Sequence, residues 1–351
     1  MELLKNSLEK MIKIIKLTII WFRNILLSKS HFRVSLLKRV YYAIFGGFIA
    51  DQIVIYDLNR KNRKEYLSEF DWYKSRYING KYNFLLNNKI VCSDLFKSDL
   101  YVPKIYCYKE KNKLFSNNNI KYFEDIIKLL KKEKKLIFKP ICKGKGNDIY
   151  KIEYTNSKFY LNSDETEQND IINLFKRKDN WFVSEYINQA KYLNDIFKYT
   201  SNTIRLITVR NPNSNKCEVL FAVQRIGVKN SIPVDNGSQG GLVAKIDLKT
   251  GQLSEAKSIQ NTKVFVNHPD SNARIKGVKI PNWDKIKDKY VKTMNKYPYL
   301  QFVAWDILVT DDGDVLIEAN TSSGVNIIQI WGAQRNKELG EFYKYYNMIK
   351  K

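Results

Sequence analysis

The segment VAWDILVTDDGDVLIEAN, residues 303–320, leaves little freedom in local fold. Two runs of β-branched, aromatic and aliphatic residues flank Asp311-Asp312-Gly313, the composition of an antiparallel hairpin. A three-residue loop closing on Gly313 in the left-handed conformation pairs Thr310 with Asp314. It then pairs Leu308 with Leu316 and Asp306 with Glu318, and Asn320 follows Glu318 on the same face. The opposite face would be Trp305, Ile307, Val309, Val315, Ile317 and Ala319, all apolar. A two-residue loop would set Asp306 across from Ala319 and mix the two faces, so the pattern favours the longer turn. Carboxylates directly opposed across a ladder repel each other unless a positive charge lies between them. A divalent cation would supply it, and the all-oxygen set Asp306, Glu318 and Asn320 suits magnesium. A solvated polar strand face is the plainer alternative.

Three upstream segments could complete a site around such a cation. In LIFKPICKGKGNDIYKIE, Lys139 nears the end of a strand and a Lys-Gly-Lys-Gly loop at 143–146 precedes another strand. Gly144 and Gly146 would let backbone amides approach phosphate oxygens. Neither a Walker A loop nor a full GxGxxG fingerprint is present, and a basic hairpin accounts for the same residues. WFVSEYINQ reads as a strand whose exit, Glu185-Tyr186-Ile187, is suited to presenting a carboxylate and backbone groups to an adenine edge. Arg205 and Arg225 sit among apolar strand residues, where an unpaired cation is costly. Either they form structural salt bridges or they clamp phosphate or a developing acyl-phosphate charge.

The 351 residues suffice for two or three compact units. Strand patterns fall at 136–140, 181–187, 203–210, 218–226, 242–248, 302–310 and 315–320, and helical spacing at 120–135. The excess of 60 Lys and Arg over 36 Asp and Glu, a net charge of +24, predicts attraction to anions without choosing among nucleic acid, lipid and phosphorylated substrates. Cys92, Cys107, Cys142 and Cys217 contain no CxxC pair, and only His31 and His268 are available as nitrogen ligands, so neither a zinc site nor a disulfide framework is predicted. Reduced thiols point to the cytoplasm. Residues 1–39 carry nine basic side chains against Glu2 and Glu9, interleaved with apolar ones and too often charged to span a bilayer. The segment is read as an interfacial helix on anionic lipid or as a helix packed on the domain behind it.

The order Lys139, glycine loop, Glu185-Tyr186-Ile187, Arg205, Asp306, Glu318-x-Asn320 resembles the ATP-grasp superfamily. SNTIRLITV, VDNGSQGGLVAKIDLKTGQL, NHPDSNARIKGVKIPNW and the WDILVTDDGDVLIEAN hairpin are similar to the sugar-transfer associated ATP-grasp family, related to α-L-glutamate ligases. The likeness runs from about Phe45 to Gly332, including LLNNKIVCSDLF near Lys89, and leaves the basic N-terminus unexplained.

The resemblance implies an α+β fold in which two lobes clamp ATP, behind a small mixed lobe at 41–115 and the basic helical segment at 1–40, with the grasp domain at 116–351. It implies that Lys139 contacts the nucleotide phosphates, that Gly144 and Gly146 belong to the phosphate loop, and that Glu185, Tyr186 and Ile187 hold adenine, with Asp195 at the ribose. Asp306, Glu318 and Asn320 would bind Mg2+, Arg205 and Arg225 would face the phosphates or the acyl phosphate, and Asn236, Gly240, Gly241 and His268 would line the acceptor side. Where His often follows Gln189 in the family, this chain has Ala190. The implied activity is an ADP-forming carboxylate-amine ligase joining an amino acid to a sugar-containing substrate in capsule or lipopolysaccharide assembly. It would work in the cytoplasm, peripherally at the inner membrane face if residues 1–39 bind anionic lipid. A non-catalytic anion-, membrane- or nucleic-acid-binding protein and a sugar kinase are the alternatives. No nucleic-acid motif is present, and no specific nucleic acid is expected.

Overall fold

The computed structural model describes residues 2–116, 120–142, 144 and 148–350. The chain opens with helices α1 (Glu2–Ile20), α2 (Leu36–Gly46), α3 (Ala50–Ile55), α4 (Glu69–Ser75), α5 (Asn83–Asn87) and α6 (Lys89–Phe96), with a π-helical turn at Trp21–Leu26 following α1. Local chemistry fixes several starts. At α4, Ser68 and Asp71 exchange hydrogen bonds between side chain and backbone N–H in a capping box. The Asn88 side chain accepts from the Ile90 and Val91 amides and so starts α6.

Two seven-stranded sheets follow. The first is built from β1 (Ile105–Glu110), β2 (Lys113–Phe115), β3 (Lys135–Pro140), β4 (Tyr150–Thr155), β5 (Lys158–Leu161), β6 (Asp164–Thr166) and β7 (Trp181–Glu185), in the order β2-β1-β7-β3-β4-β5-β6. Helices α7 (Phe123–Glu133) and α8 (Gln168–Arg177) contribute Ile126, Leu130, Ile171 and Phe175 to its core. Because β1 pairs with β7, this sheet begins at Ile105, ahead of residue 116 where the sequence reading divides the lobes.

After α9 (Lys191–Phe197), the second sheet comprises β8 (Ile204–Arg210), β9 (Cys217–Ile226), β10 (Leu242–Ile246), β11 (Leu253–Ser258), β12 (Val264–Phe265), β13 (Phe302–Thr310) and β14 (Gly313–Asn320). Its order is β12-β11-β10-β9-β8-β13-β14. Helix α10 (Trp283–Asn295) covers one face. There Trp305, fully buried, makes edge contacts with Phe96 and Tyr290 and donates from its indole N–H to Thr208 Oγ1 at 2.7 Å. The other face packs on α11 (Asn326–Gln329) and α12 (Glu338–Tyr345) through Ile207, Phe302, Ile328 and Phe342.

The β13–β14 hairpin corrects one expectation. Its turn holds two residues, since Thr310 pairs with Gly313, Leu308 with Val315 and Ile307 with Leu316. A register shift then intervenes, beyond which Asp306 pairs with Glu318, Trp305 with Ala319 and Ala304 with Asn320. A β-bulge thus supplies the extra residue that the sequence pattern places in the loop. The carboxylates face each other as expected, but Ile317 at the bulge lines the cleft with Glu318 instead of joining the apolar face.

At the N-terminus, Ile20, Trp21, Ile25 and Leu26 pack against Ala43, Phe70 and Tyr73. No described helix is long and apolar enough to cross a membrane.

Cys142 is exposed whereas Cys92, Cys107 and Cys217 are buried, and burial pushes the Cys92 and Cys107 thiols up to about 12. Since thiolate is the reactive form, a thiol reagent at mildly alkaline pH should modify one cysteine rapidly in the native chain and all four after denaturation. Rapid reaction of two or more native thiols would contradict this packing.

Candidate functional site

The exits of β3 and β7 in the first sheet and the inner face of β8, β9, β13 and β14 in the second bound an open cleft. Lys139, Glu185, Tyr186, Ile187, Arg205, Arg225, Asn236, Asp306, Glu318 and Asn320 all line it. Residues separated by up to 181 positions therefore meet across the cleft, Lys139 and Glu185 from the first sheet and Arg205, Arg225, Asp306, Glu318 and Asn320 from neighbouring antiparallel strands of the second. Direct pairing of Asp306 with Arg205 on β8 and of Arg205 with Val223 on β9 sets their mutual heights.

The floor of the cleft is a buried ionic cluster. Arg205 donates from Nε to Asp306 Oδ1 at 2.5 Å and from one terminal nitrogen to Oδ2 at 3.1 Å, a fork matched to a carboxylate. Its other terminal nitrogen reaches Ser323 Oγ at 3.3 Å. Arg225 stands 3.3 Å from Asp306 Oδ2 and 3.2 Å from Asp235 Oδ1, and donates to Thr203 Oγ1 and Asn236 Oδ1. Asp235 in turn accepts from the Thr203 amide and hydroxyl, both at 2.7 Å. Burial by itself would raise the Asp306 pKa, but the guanidinium charges of Arg205 and Arg225 outweigh it and hold the carboxyl below its ordinary value. For Asp235, burial prevails over Arg225 and the pKa rises. The structural and functional readings of the two arginines are thus not exclusive: both are salt-bridged, and both face the cleft.

Above this floor lie Lys139, Lys89, Glu318 and Asn320. Burial brings the Lys139 ammonium down to about 8, with Glu318 the main opposing influence and Lys89 adding to the depression. Lys89 Nζ is 3.8 Å from Glu318 Oε1. The oxygens suit an oxygen-seeking cation: Glu318 and Asn320 both line the cleft, and the buried Asn320 amide nitrogen has no hydrogen-bond partner, so it asks for an acceptor such as a ligand oxygen. Asp306 is already shared by two arginines. Among the described residues no three of His, Cys, Asp and Glu converge closely enough to hold a metal alone. A cation here would draw on Asn320 and on oxygens from outside the protein.

Not every expected residue offers its side chain to the cleft. Glu185 lines the cleft, but its carboxylate accepts from the Tyr101 hydroxyl and the Lys104 amide. Asp195 is exposed on α9, paired with Lys191 at 2.7 Å, and lines a separate surface hollow with Asp311, so it is not brought to the cleft. His268 is also away from it: buried, its ring engages Gly227 O and the Asp270 and Ser271 amides and stacks on Phe197. Burial lowers its pKa. Gly240 and Gly241 act through the backbone. Gly240 has φ of 101°, and a Cβ on Gly241 would meet Asp235 O at 2.4 Å, so this turn permits the approach that presents Asp235 and Asn236. Gly144 borders a second cavity described below, and Gly146 falls outside the described residues.

Sequence reasoning gave no role to Asp235, Thr203 or Lys89, although each sits in a segment it singled out. The usable signal was Arg225: a cation among apolar strand residues demands an acid nearby, and Asp235 is the acid in the adjoining glycine-rich segment.

A family model described as sugar-transfer associated ATP-grasp matches residues 69–339. No curated protein sequence matches the chain. Similar solved structures include the ATP-grasp ligase PsnB complexed with a minimal precursor, at 15% identity and a TM-score of 0.37 over 70% of this chain and 56% of that one. L-amino acid ligase from Bacillus licheniformis matches at 9% and 0.37, over 70% and 42% of the two chains. N5-carboxyaminoimidazole synthetase from Staphylococcus aureus complexed with ADP matches at 11% and 0.37, over 68% and 44%. The chain therefore spans roughly half the length of these solved proteins.

Removing one partner of a buried pair strands the other charge. Arg225→Ala should cost about 3–5 kcal/mol in urea unfolding, whereas Glu318→Gln, on the cleft wall, should cost about 1 kcal/mol or less. Equal losses would contradict the division between floor and wall.

Proposed function

Because the chain belongs to the sugar-transfer associated ATP-grasp family, we propose that the cleft binds Mg-ATP and that the protein is an ADP-forming carboxylate-amine ligase. The observation that carries this reading is the convergence of Lys139, Arg205, Arg225, Glu318 and Asn320 on one cleft between two sheets. ATP and Mg2+ would supply activation of a carboxylate as an acyl phosphate, which an amine then displaces with release of phosphate.

The chain's own residues would do the positioning. Lys139 and the Gly144 segment approach the phosphates, and the Glu318 and Asn320 oxygens hold the cation, with Asp306 contributing whatever the arginines leave free. Ile137 and Ile149 on one side and Leu308 and Ile317 on the other are apolar surfaces suited to the two faces of a purine. With the Glu185 carboxylate engaged by Tyr101 and Lys104, the purine edge falls to the backbone of Glu185-Tyr186-Ile187. Arg205 and Arg225, fixed by their salt bridges, direct positive charge to the transferring phosphoryl group without reorganising, which is how fixed charge lowers such a barrier. Asn236, held by Arg225, borders the space left for the acceptor. No protein nucleophile is required. The substrates favoured by the family's association with sugar transfer are an amino acid and a uronic acid or amino sugar, in capsule or lipopolysaccharide assembly. Inner-face cytoplasmic action accords with that role.

Thermal unfolding tests the nucleotide site. A ligand at a hundred times its Kd adds about 2.7 kcal/mol, a rise of roughly 5 °C for a chain of this size. Mg-ATP should raise the Tm of wild type by that order but not of Glu318→Gln or Lys139→Ala, and EDTA should diminish the shift. With a panel of amino acids and uronic sugars, mass spectrometry should find an amide and ADP; a phosphate ester instead would make the protein a kinase. No shift in wild type would remove the ligase reading.

A further inference from the structure

Helix α1 carries its best apolar stripe on the wrong side for packing. Leu8, Met11, Ile12, Ile15, Ile19 and Phe22 recur at the three- and four-residue spacing of one helical face, yet each is 41–53% exposed. The residues that hold the segment to the protein are different ones: Trp21 donates to Ala43 O at 3.3 Å, Asn24 to the Tyr73 hydroxyl at 3.0 Å, and Lys13 lies over the Tyr77 ring at 4.7 Å. Leu36, Leu37, Ile44 and Phe45 of α2 are exposed as well. Lys10, Lys16, Arg23, Lys29 and Lys38 are exposed among these apolar residues. Amphipathic segments with basic flanks lie in the interface of anionic membranes, where apolar burial and Coulomb attraction add. A second copy of the chain is a poorer occupant, since it would bring another +24 to the same face.

A second observation places the end of α1 beside the cleft, through its packed side. A hollow of about 370 Å³ runs from Ile20 of α1 to Cys142, Glu318 and Asn320, with Arg76 and Lys89 in its wall. It shares Glu318 and Asn320 with the cleft, whereas Glu185 and Ile187 line the cleft alone.

We propose that the outward face of α1, the Trp21–Leu26 turn and α2 docks on an anionic lipid bilayer, and that the cavity beside Glu318 opens onto that bilayer as the site for the head group of a membrane-held anionic substrate. The docking stands on the surface alone; the substrate assignment rests on the Mg-ATP reading of the cleft. The enzyme would thus act on an amphiphile without extracting it, its basic wall receiving the negative head group.

Flotation of the full chain with vesicles tests the docking. Wild type should bind phosphatidylglycerol-containing vesicles and not pure phosphatidylcholine. Ile15→Glu/Ile19→Glu and, separately, Lys10→Glu/Lys16→Glu should each weaken binding by more than about tenfold, with the Tm and its response to Mg-ATP unchanged. Binding of either variant as tight as wild type would overturn the proposal, as would loss of a concentration-dependent oligomer in Ile15→Glu/Ile19→Glu without any lipid dependence in wild type. An environment-sensitive fluorophore on Cys142 should shift to the blue on phosphatidylglycerol vesicles. Flotation without that shift would overturn the orientation of the cavity. Retained Mg-ATP stabilisation without flotation would refute the docking and leave the nucleotide reading intact; flotation without Mg-ATP stabilisation would refute the substrate half.

Discussion

The fork between Arg205 and Asp306 is the constraint on which the site depends. A carboxylate this deeply buried is tolerable only with a matched partner, and Arg205 meets it at 2.5 and 3.1 Å. That pair fixes the height of β13 against β8, and Arg225 extends it to Asp235 and to the glycine-rich turn at 235–241. Two arginines and two aspartates balance one another in the floor, so the floor is neutral. Both guanidinium groups still face the cleft, where Lys139 adds a third cation. A ligand in the cleft would meet a platform whose charges already hold one another in place.

The same economy explains the hairpin. Asp306 and Glu318 must oppose each other on the cleft side while β13 buries Trp305 on the reverse side. The two-residue turn alone would set Asp306 against Ile317, since Ile307 already pairs with Leu316. The bulge between the turn and Asp306 restores the pairing and turns Ile317 into the cleft, where an apolar surface is useful beside a carboxylate.

This hairpin also marks how far the sequence could be read. Alternation over 303–320 was enough to predict which carboxylates meet, because a longer loop and a shorter loop plus a bulge place Asp306 opposite Glu318 equally well. Nothing in Val315-Leu316-Ile317 distinguishes the two, since any of three apolar residues could bulge. Lys139, Arg205 and Arg225 were visible as charges at strand positions with no reason to be solvated. His268 and Asp195 were misleading for the opposite reason: polar residues in promising segments carry no sign of which way the chain turns. The His268 ring is consumed by holding its own loop, and Asp195 pairs with Lys191 one helical turn away. For α1, amphipathicity was legible but its orientation was not, because spacing defines a face without saying what the face meets.

Nucleotide held between the two sheets would contact both. Hydrogen exchange with and without a non-hydrolysable Mg-ATP analogue tests it most directly, since amides ordered by a ligand exchange more slowly. Protection should appear together in the 135–155 segment and at 184–187 of the first sheet and in 313–320 of the second. Protection confined to one sheet, or found only on the basic N-terminal helices, would contradict the account.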